Sequence, residues 1–253
     1  MRPETCPPGL SVPWARCRCR APLNAAGTAC TGAARHPVAP PSLRYYATWT
    51  STRRNLGELH ARGMRLITGP DQLSRYAGEV PPLSWGLDNG AWGCFQRGEP
   101  FDGAAFRRAL SLWGEHADWL AVPDVVADRV ASLALTAAWY DEIAATGRPL
   151  VVVQDGMTPA DVESYIARGA GLFVGGSTAW KESSLAMWGA VKRASGCYLH
   201  VGRVNTSRRM QLAIDAGADS ADGTSITRFG ATARRLDDAS RAEPRGELFG
   251  VRS

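Results

Sequence analysis

The residues of this 253-residue chain that are suited to chemistry stand at corners, where short apolar runs end. Six corners carry acids, amides, glycine pairs or basic groups: Leu83-Ser-Trp-Gly-Leu-Asp-Asn-Gly90, Trp119-Leu-Ala-Val-Pro-Asp124, Val151-Val-Val-Gln-Asp-Gly156, Leu172-Phe-Val-Gly-Gly-Ser177, Tyr198-Leu-His-Val-Gly-Arg203 and Asp219-Ser-Ala-Asp-Gly223. Asp222 and Asp88 could share a glycosyl transfer, one carboxylate attacking the anomeric carbon and the other acting as acid and base. Taken alone, the Asp222-Gly223 corner is better explained as a turn, and Asp88-Asn-Gly90 is also rich in turn-forming residues.

Three further residues are suited to holding a planar base. A carboxylate at Asp124 accepts from an N–H and NH2 edge, and a carboxamide at Gln154 donates to a carbonyl oxygen, a combination that guanine presents. The indole of Trp92 could stack on the same base. Each has a structural alternative: Asp124 as a cap after Pro123, Trp92 as core or rim packing, and Gln154 as a buried amide that requires partners.

Glycines and basic groups complete the candidate site. Gly175-Gly176 allows a ligand to approach the backbone and offers N–H groups to a carbonyl or phosphate, or it is a tight turn. His200 either lines the pocket beside the base or is a satisfied core residue. Basic side chains that either contact a nucleic-acid backbone or form solvated surface are Lys181, Arg203, Arg208, Arg209 and Arg228.

The elements between the corners indicate how these residues meet. Eight strands are predicted: Arg44–Ala47, Met64–Thr68, Leu83–Leu87, Trp119–Val122, Leu150–Val153, Gly171–Val174, Tyr198–Val201 and Asp219–Ala221. Helical patterns alternate with them, which favours a small closed (β/α)8 TIM-like barrel over a doubly wound sheet. Because the C-terminal strand ends of such a barrel meet at one mouth, Asp88, Asp124, Gln154 and Asp222 are expected to share a pocket.

Capping signals place three of the helices. Residues 101–113 carry apolar residues at helical spacing after a capping aspartate. A second helix is predicted between Thr158, as N-cap, and Gly169. A third is predicted to begin at Ser207 and to end at Gly217.

The two ends of the chain differ from the part between them. Residues 1–42 are rich in proline, contain four of the six cysteines and lack periodicity, which predicts a disordered extension or a wrongly chosen start codon. A zinc knuckle there is disfavoured by the Cys17-x-Cys19 spacing. Residues 43–238 are the predicted barrel domain, and residues 239–253 a flexible tail.

Charge and hydropathy say little about partners. The first 42 residues hold five arginines and one glutamate, which accounts for four of the five net positive charges, so the remaining domain is nearly neutral. No apolar run approaches the roughly 18 residues of a membrane span. Cys94 and Cys197 lie far apart in the sequence, and a soluble protein of a reducing cytoplasm is expected.

Five short stretches, in sequence order, resemble the tRNA-guanine transglycosylase superfamily, and most closely its shorter DpdA-type deazapurine DNA modification proteins of phages and bacteria. They are Leu87-Asp-Asn-Gly-Ala-Trp92, Val122-Pro-Asp-Val-Val126, Phe173-Val-Gly-Gly-Ser-Thr-Ala-Trp-Lys181, His200-Val-Gly-Arg-Val-Asn205 and Asp222-Gly-Thr-Ser-Ile-Thr-Arg228. The resemblance covers about Leu43 to Arg235. It implies a pentosyltransferase that exchanges guanine in DNA for a 7-deazaguanine, such as 7-cyano-7-deazaguanine, through a covalent aspartyl-glycosyl intermediate.

The resemblance also implies a role for each matching residue. Asp222 takes the position of the nucleophile, Asp88 that of the acid/base, and Trp92 that of an aromatic that stacks on the base. The positions that bind the purine are matched by Asp124, Gln154 and Gly176. Neither a metal nor an organic cofactor is expected, because two carboxylates and base recognition supply the catalysis and the 7-deazaguanine base is a substrate.

Two departures from the superfamily affect the expected substrate. The tRNA enzymes carry a C-terminal subdomain in which three cysteines and one histidine bind zinc, and this chain has neither residue type after Asp222. DNA is therefore favoured over tRNA. Asn89-Gly90-Ala91 replaces Ser-Gly-Gly, which would reshape the pocket floor. The superfamily tends to dimerise, so a homodimer is a further expectation.

Other functions stay open at this level. They are the same exchange on tRNA, a hydrolytic glycosidase on free nucleosides, a phosphate-binding isomerase that uses Gly175-Gly176, and a non-catalytic nucleic-acid-binding barrel. The presence of Asp88 together with Asp222 argues against the last of these.

Overall fold

The computed structural model describes residues 43–49, 53–73, 83–224 and 230–242. The predicted N-terminal extension, residues 1–42, lies outside the described residues, as does most of the predicted C-terminal tail. Within the described residues the chain alternates strands and helices from one end to the other.

Eight parallel strands close into a barrel in which each strand pairs with its neighbours in sequence and the last pairs with the first. The strands are β1 Arg44–Thr48, β2 Arg65–Thr68, β3 Trp85–Leu87, β4 Leu120–Ala121, β5 Pro149–Val153, β6 Gly171–Val174, β7 Leu199–Val201 and β8 Ser220–Gly223. The predicted (β/α)8 barrel is confirmed, and every predicted strand lies within two residues of an observed one.

The described helices cover the outside of the strands. They are α1 Arg53–Ala61, α2 Pro70–Leu73, α3 Ala91–Arg97, α4 Gly103–Trp113, α5 Arg129–Thr146, α6 Pro159–Ala167, α7 Thr178–Ser195, α8 Ser207–Asp215 and α9 Gly230–Ser240, with a 3-10 turn at Gly114–His116. In this part of the chain, none of them has the length and apolar character needed to cross a membrane.

The predicted capping signals act as expected at two helices. The Asp102 carboxylate accepts a hydrogen bond from the backbone N–H of Ala105 (2.9 Å) and begins α4. The Asp161 carboxylate accepts from the Thr158 backbone N–H (2.8 Å) at the start of α6. The third helix begins at Ser207 as predicted, but the residue that caps it is Thr206.

The C-terminal helix extends further than the sequence suggests. A flexible tail is predicted from residue 239, whereas α9 continues to Ser240. Leu236 and Ser240 are both buried, and α9 packs against α8. Burial of one face of α9 against α8 stabilises the end of this helix, although its charged composition alone predicts a tail.

The interior of the barrel is filled by side chains from alternating strand positions. This inner layer consists of Tyr46, Ile67, Trp119, Ala121, Leu150, Val152 and Phe173. The Trp119 ring meets Tyr46 and Phe173 edge-on, with ring centroids 5.2 and 5.9 Å apart. A larger apolar cluster lies between the strands and the helices. The inner layer therefore packs beneath the C-terminal ends of the strands and holds them in place.

The backbone of Gly86 lies directly against the Trp119 ring, and this contact provides a test of the fold. A Cβ at Gly86 would overlap the Trp119 indole, so Gly86→Ala is expected to lower the free energy of unfolding by about 1–3 kcal/mol. Gly57→Ala in α1 is the matched control, because a Cβ there meets nothing within 4 Å. Urea unfolding of both variants checks the prediction, and equal stabilities would contradict the described packing.

Candidate active site at the barrel mouth

One cavity of about 550 Å³ opens where the strands end. This volume lies within the roughly 300–1,000 Å³ typical of small-molecule sites. Its walls include nine of the residues predicted for the site: Asp88, Trp92, Asp124, Gln154, Gly175, Gly176, Lys181, Arg203 and Asp222. Ile67, Val152 and Phe173 of the inner layer also line it, so that layer forms its floor. The predicted convergence of the strand-end residues on one pocket is confirmed.

Asp222 is held on both of its carboxylate oxygens. It is the third residue of β8, and only 7% of it is exposed. Its Oδ2 lies 3.0 Å from Nε2 of His200, and its Oδ1 accepts a hydrogen bond from the backbone N–H of Arg203 (3.2 Å). The carboxylate is therefore fixed in orientation at the edge of the cavity.

Asp88 lies directly after β3, partly exposed to the cavity. Its backbone N–H donates to the carbonyl of Thr68 (2.8 Å), which ties the corner to the end of β2. Burial raises the pKa of the Asp88 carboxyl from 3.8 to about 7, and the negative charges of Asp124 and Asp222 add to this. Hydrogen bonds from the backbone N–H groups of Asn89 and Gly90 oppose the rise. Asp88 therefore exchanges its proton near neutral pH, as a general acid and base must.

Asp124 is the centre of a buried hydrogen-bonded cluster. Its Oδ1 accepts from Nδ2 of Asn89 (2.7 Å) and its Oδ2 from Nε2 of Gln154 (2.6 Å). The Oε1 of Gln154 in turn accepts from the backbone N–H of Ala127 (2.9 Å), a residue in the left-handed region with φ of 58°. The predicted pair of Asp124 and Gln154 is thus a linked unit with fixed donor and acceptor directions.

Asn89 is a site residue whose role the sequence does not indicate. Its amide donates to the Val122 carbonyl (2.9 Å) as well as to Asp124, and its own oxygen accepts from the backbone N–H of Ala91 (2.8 Å). One side chain therefore joins the corner after β3 to the corner after β4. In the sequence, Asn89 is noticeable only because Asn89-Gly90-Ala91 stands where the tRNA-guanine transglycosylase superfamily has Ser-Gly-Gly.

The electrostatics of Asp124 follow from its enclosure. Burial raises the pKa of its carboxyl from 3.8 to about 6, while the hydrogen bonds from Asn89 and Gln154 and the charge of Arg203 oppose the rise. Near neutral pH it is mostly ionised and accepts hydrogen bonds. In the described part of the chain, no group of three or more His, Cys, Asp or Glu residues is arranged to hold a metal ion.

The glycine pair after β6 gives the cavity a smooth wall. A Cβ at Gly175 would lie 2.7 Å from Nε2 of Gln154, and Gly176 has a φ of 75°, which favours glycine. The Gly175 N–H, however, donates to the carbonyl of Val153 (3.0 Å) and continues the sheet. The expectation that this N–H binds a ligand is wrong, and close backbone approach is the role that the geometry supports.

Trp92 and Arg203 lie against each other at the rim. The Arg203 guanidinium carbon is 4.3 Å from the centre of the Trp92 ring, and Arg203 also donates to the carbonyl of Gly176. Arg203 itself has a φ of 57°. On α3, Phe95 stacks beside Trp92 with ring centroids 5.6 Å apart. A base that stacks on Trp92 must therefore share the indole with the guanidinium or displace it.

The other predicted backbone-binding residues lie in different settings. Lys181, in the first turn of α7, is only 5% exposed and donates to the carbonyl of Gly202, so it is enclosed beside the cavity rather than presented on the surface. Burial lowers the pKa of Lys181 to about 7, with a further lowering from Arg203 and an opposing effect of Asp222. Arg208 lies outside the cavity wall and pairs with Glu182 (2.6 Å). Arg228 lies outside the described residues.

His200 does not contact the cavity, contrary to the expectation that it lines the base pocket. It is fully buried in β7, and its ring packs against Trp119 and Phe173 of the inner layer. Burial lowers the pKa of His200, although the hydrogen bond and charge of Asp222 act in the opposite direction. The strand register places this ring behind Asp222, out of reach of a bound base.

Comparisons with known proteins support the fold but do not indicate a reaction. The sequence matches no protein-family model and no curated protein. The chain is similar in structure to the crystal structure of an Amycolatopsis orientalis BexX/CysO complex, with a TM-score of 0.53 and 15% identity over 82% of this chain and 95% of that one. At that identity the similarity shows the fold alone.

Proposed function

We propose that this protein is a pentosyltransferase that exchanges guanine in DNA for a 7-deazaguanine. The observation that carries the proposal is the meeting of Asp222, Asp88 and the Asp124–Gln154 pair in one cavity. One carboxylate is held on both oxygens, the second exchanges a proton near pH 7, and a third group presents fixed acceptors and donors. This division of roles is what base exchange with a covalent intermediate requires.

The first step forms the glycosyl-enzyme. A carboxylate oxygen of Asp222 bonds to C1′ of the deoxyribose as the bond from C1′ to N9 of guanine breaks. The electron pair of that bond goes to the base, which takes up the proton of Asp88. In the second step, Asp88 accepts the N9 proton of the incoming 7-deazaguanine. N9 then bonds to C1′ and the bond to Asp222 breaks, which restores the enzyme.

Base selection is assigned to the cluster around Asp124. Each oxygen of Asp124 keeps an acceptor direction beyond the bond that it already receives, and these suit the N–H and NH2 edge of guanine. The Gln154 amide has a second N–H that suits the carbonyl oxygen of the base. Because guanine and a 7-deazaguanine share this edge, the same groups hold the leaving and the incoming base. The target base has to leave the helical stack to reach them.

DNA is proposed over tRNA because the motifs resemble most closely those of the DpdA-type deazapurine DNA modification proteins. The basic groups Arg203 and Arg208 are proposed to contact the DNA backbone near the mouth. A homodimer and a location in the cytoplasm of a bacterial or phage-infected cell are part of the same proposal.

The purified protein can be tested by exchange of isotopically labelled guanine into nucleic acid. Duplex DNA, single-stranded DNA, tRNA and free guanosine are offered separately, and incorporation into DNA is the expected result. Incorporation into tRNA alone would make RNA the substrate. Release of guanine from free guanosine without exchange would favour the nucleoside glycosidase, and DNA binding without any product would favour a non-catalytic barrel.

Stacking of the base on Trp92 gives a separate prediction. Trp92→Ala is expected to weaken binding of guanine about 10- to 100-fold, since base–aromatic stacking contributes about 1–3 kcal/mol. Leu112→Ala is the control, because Leu112 of α4 is an apolar residue that is 58% exposed and does not line the cavity. Calorimetric titration with guanine measures both. A loss as large for Leu112→Ala would show that the effect does not come from stacking on Trp92.

A further inference from the structure

A chain of buried hydrogen bonds runs through the barrel interior and ends on Asp222. The Tyr198 hydroxyl lies 2.8 Å from Oγ of Ser220, and that oxygen lies 2.7 Å from Nδ1 of His200. Nε2 of His200 then lies 3.0 Å from Oδ2 of Asp222. His200 and Ser220 are completely buried and face each other in the pairing of β7 with β8. The proposed base exchange assigns no role to any of the groups behind Asp222.

The direction of each hydrogen bond follows from the chemistry of the groups. An ionised Asp222 only accepts, so Nε2 of His200 must carry the hydrogen between them. In the neutral ring, Nδ1 is then an acceptor, and the Ser220 hydroxyl donates to it. The oxygen of Ser220 in turn accepts from the Tyr198 hydroxyl. Because burial lowers the pKa of His200, the neutral ring is favoured, and in that form all four groups are satisfied when Nε2 carries the hydrogen.

The ring of His200 is also fixed by its packing. Its centroid lies 4.4 Å from that of Phe173, 4.7 Å from that of Trp119 and 5.7 Å from that of Tyr46. These rings belong to the inner layer that forms the cavity floor. The imidazole therefore has no room to turn its N–H away from Asp222.

We propose that His200 is a positioning residue that holds the nucleophile Asp222 through Nε2–H, and that Ser220 supports this tautomer by donating to Nδ1. The inference rests on the proposed base exchange. The His200 side chain donates to Oδ2 (3.0 Å), whereas Oδ1 accepts the longer hydrogen bond, from the backbone N–H of Arg203 (3.2 Å). We therefore assign Oδ1 as the oxygen that attacks C1′. Oδ2 becomes the carbonyl oxygen of the glycosyl ester and keeps its bond to His200. No proton leaves the imidazole during the cycle.

The test compares three variants in single-turnover formation of the glycosyl-enzyme. His200→Met removes the donor at similar volume and is expected to slow the step about 10- to 100-fold, the size expected for a hydrogen bond to a charged group. His200→Gln keeps an N–H at the same reach and is expected to recover most of the rate. Ser220→Ala removes the donor to Nδ1 while Asp222 still holds Nε2–H, and is expected to be intermediate. Affinity for guanine should be unchanged in all three, whereas a structural role would lower affinity and rate together.

A second measurement does not depend on activity. The chain has four histidines, so the ¹⁵N NMR signals of His200 are identified by their loss in His200→Met. We expect the neutral, Nε2-protonated form in the wild type, and in Ser220→Ala the same form with a shifted Nδ1 signal, because that nitrogen loses its donor. A charged ring or an Nδ1-protonated ring in the wild type would overturn the inference. If the tautomer is as expected but the wild type exchanges no base, the proposed function fails and the assigned hydrogen bond stands.

Discussion

Asp222→Asn is expected to lower the rate of base exchange by about 10⁴-fold or more, because an amide cannot form the bond to C1′. The substitution is nearly isosteric, and the oxygen of the introduced amide can still accept from Nε2–H of His200, so the fold should be retained. The covalent intermediate can be followed directly as DNA that stays attached to the protein under denaturing conditions. This adduct should form with the wild type and be absent with Asp222→Asn.

Asp219→Asn is the matched control for this variant. Asp219 precedes the same strand at the other end of the barrel, where its carboxylate pairs with Lys192 and accepts from the backbone N–H of Leu199 (2.8 Å). Its loss should reduce the free energy of unfolding by about 1 kcal/mol and leave the adduct intact. If the adduct still forms with Asp222→Asn, Asp222 is not the nucleophile.

Asp88→Asn is expected to produce the second large effect, which depends on pH. Loss of the acid and base should lower exchange by about 10²- to 10⁴-fold at neutral pH. In the wild type, the reaction should require Asp88 protonated for the first step and ionised for the second, so activity should be highest near pH 7, where the pKa of Asp88 lies. The variant should lack this maximum.

The same substitution is expected to raise stability above pH 7. The pKa of Asp88 rises from 3.8 to about 7 on folding, so between these values the folded protein holds a proton that the unfolded chain has released. The free energy of unfolding of the wild type therefore falls as the pH rises through this window and is level above it. Asp88→Asn lacks that loss, and its advantage in free energy of unfolding should reach roughly 4 kcal/mol at pH 8 compared with pH 4. Urea unfolding at the two pH values measures this, and parallel changes for both proteins would contradict the raised pKa.

The position of the site could be predicted from the sequence because parallel strands impose it. Each apolar run is followed by a polar corner, and once eight runs close into a barrel those corners must share one mouth. Asp88, Asp124, Gln154 and Asp222 needed only that rule to be placed together. Gly175 and Gly176 followed from the same argument.

The direction of individual side chains could not be predicted in this way. His200 and Asp222 both lie near strand ends, but the register of β7 against β8 turns the imidazole into the interior while Asp222 reaches the cavity. Lys181 is enclosed because α7 begins immediately after the glycine pair, which brings its first turn against the carbonyl of Gly202. Such contacts join residues that are distant in sequence, so no local pattern indicates them.

Nucleoside mass spectrometry of plasmid DNA is the most direct test of guanine exchange in DNA. The DNA is taken from cells that express this protein together with a supply of 7-cyano-7-deazaguanine. A 7-cyano-7-deaza-2′-deoxyguanosine peak is predicted with the wild type and with Asp219→Asn, and no peak with Asp222→Asn. A wild-type digest without the modified nucleoside, in cells where the free 7-deazaguanine is present, would contradict guanine exchange in DNA.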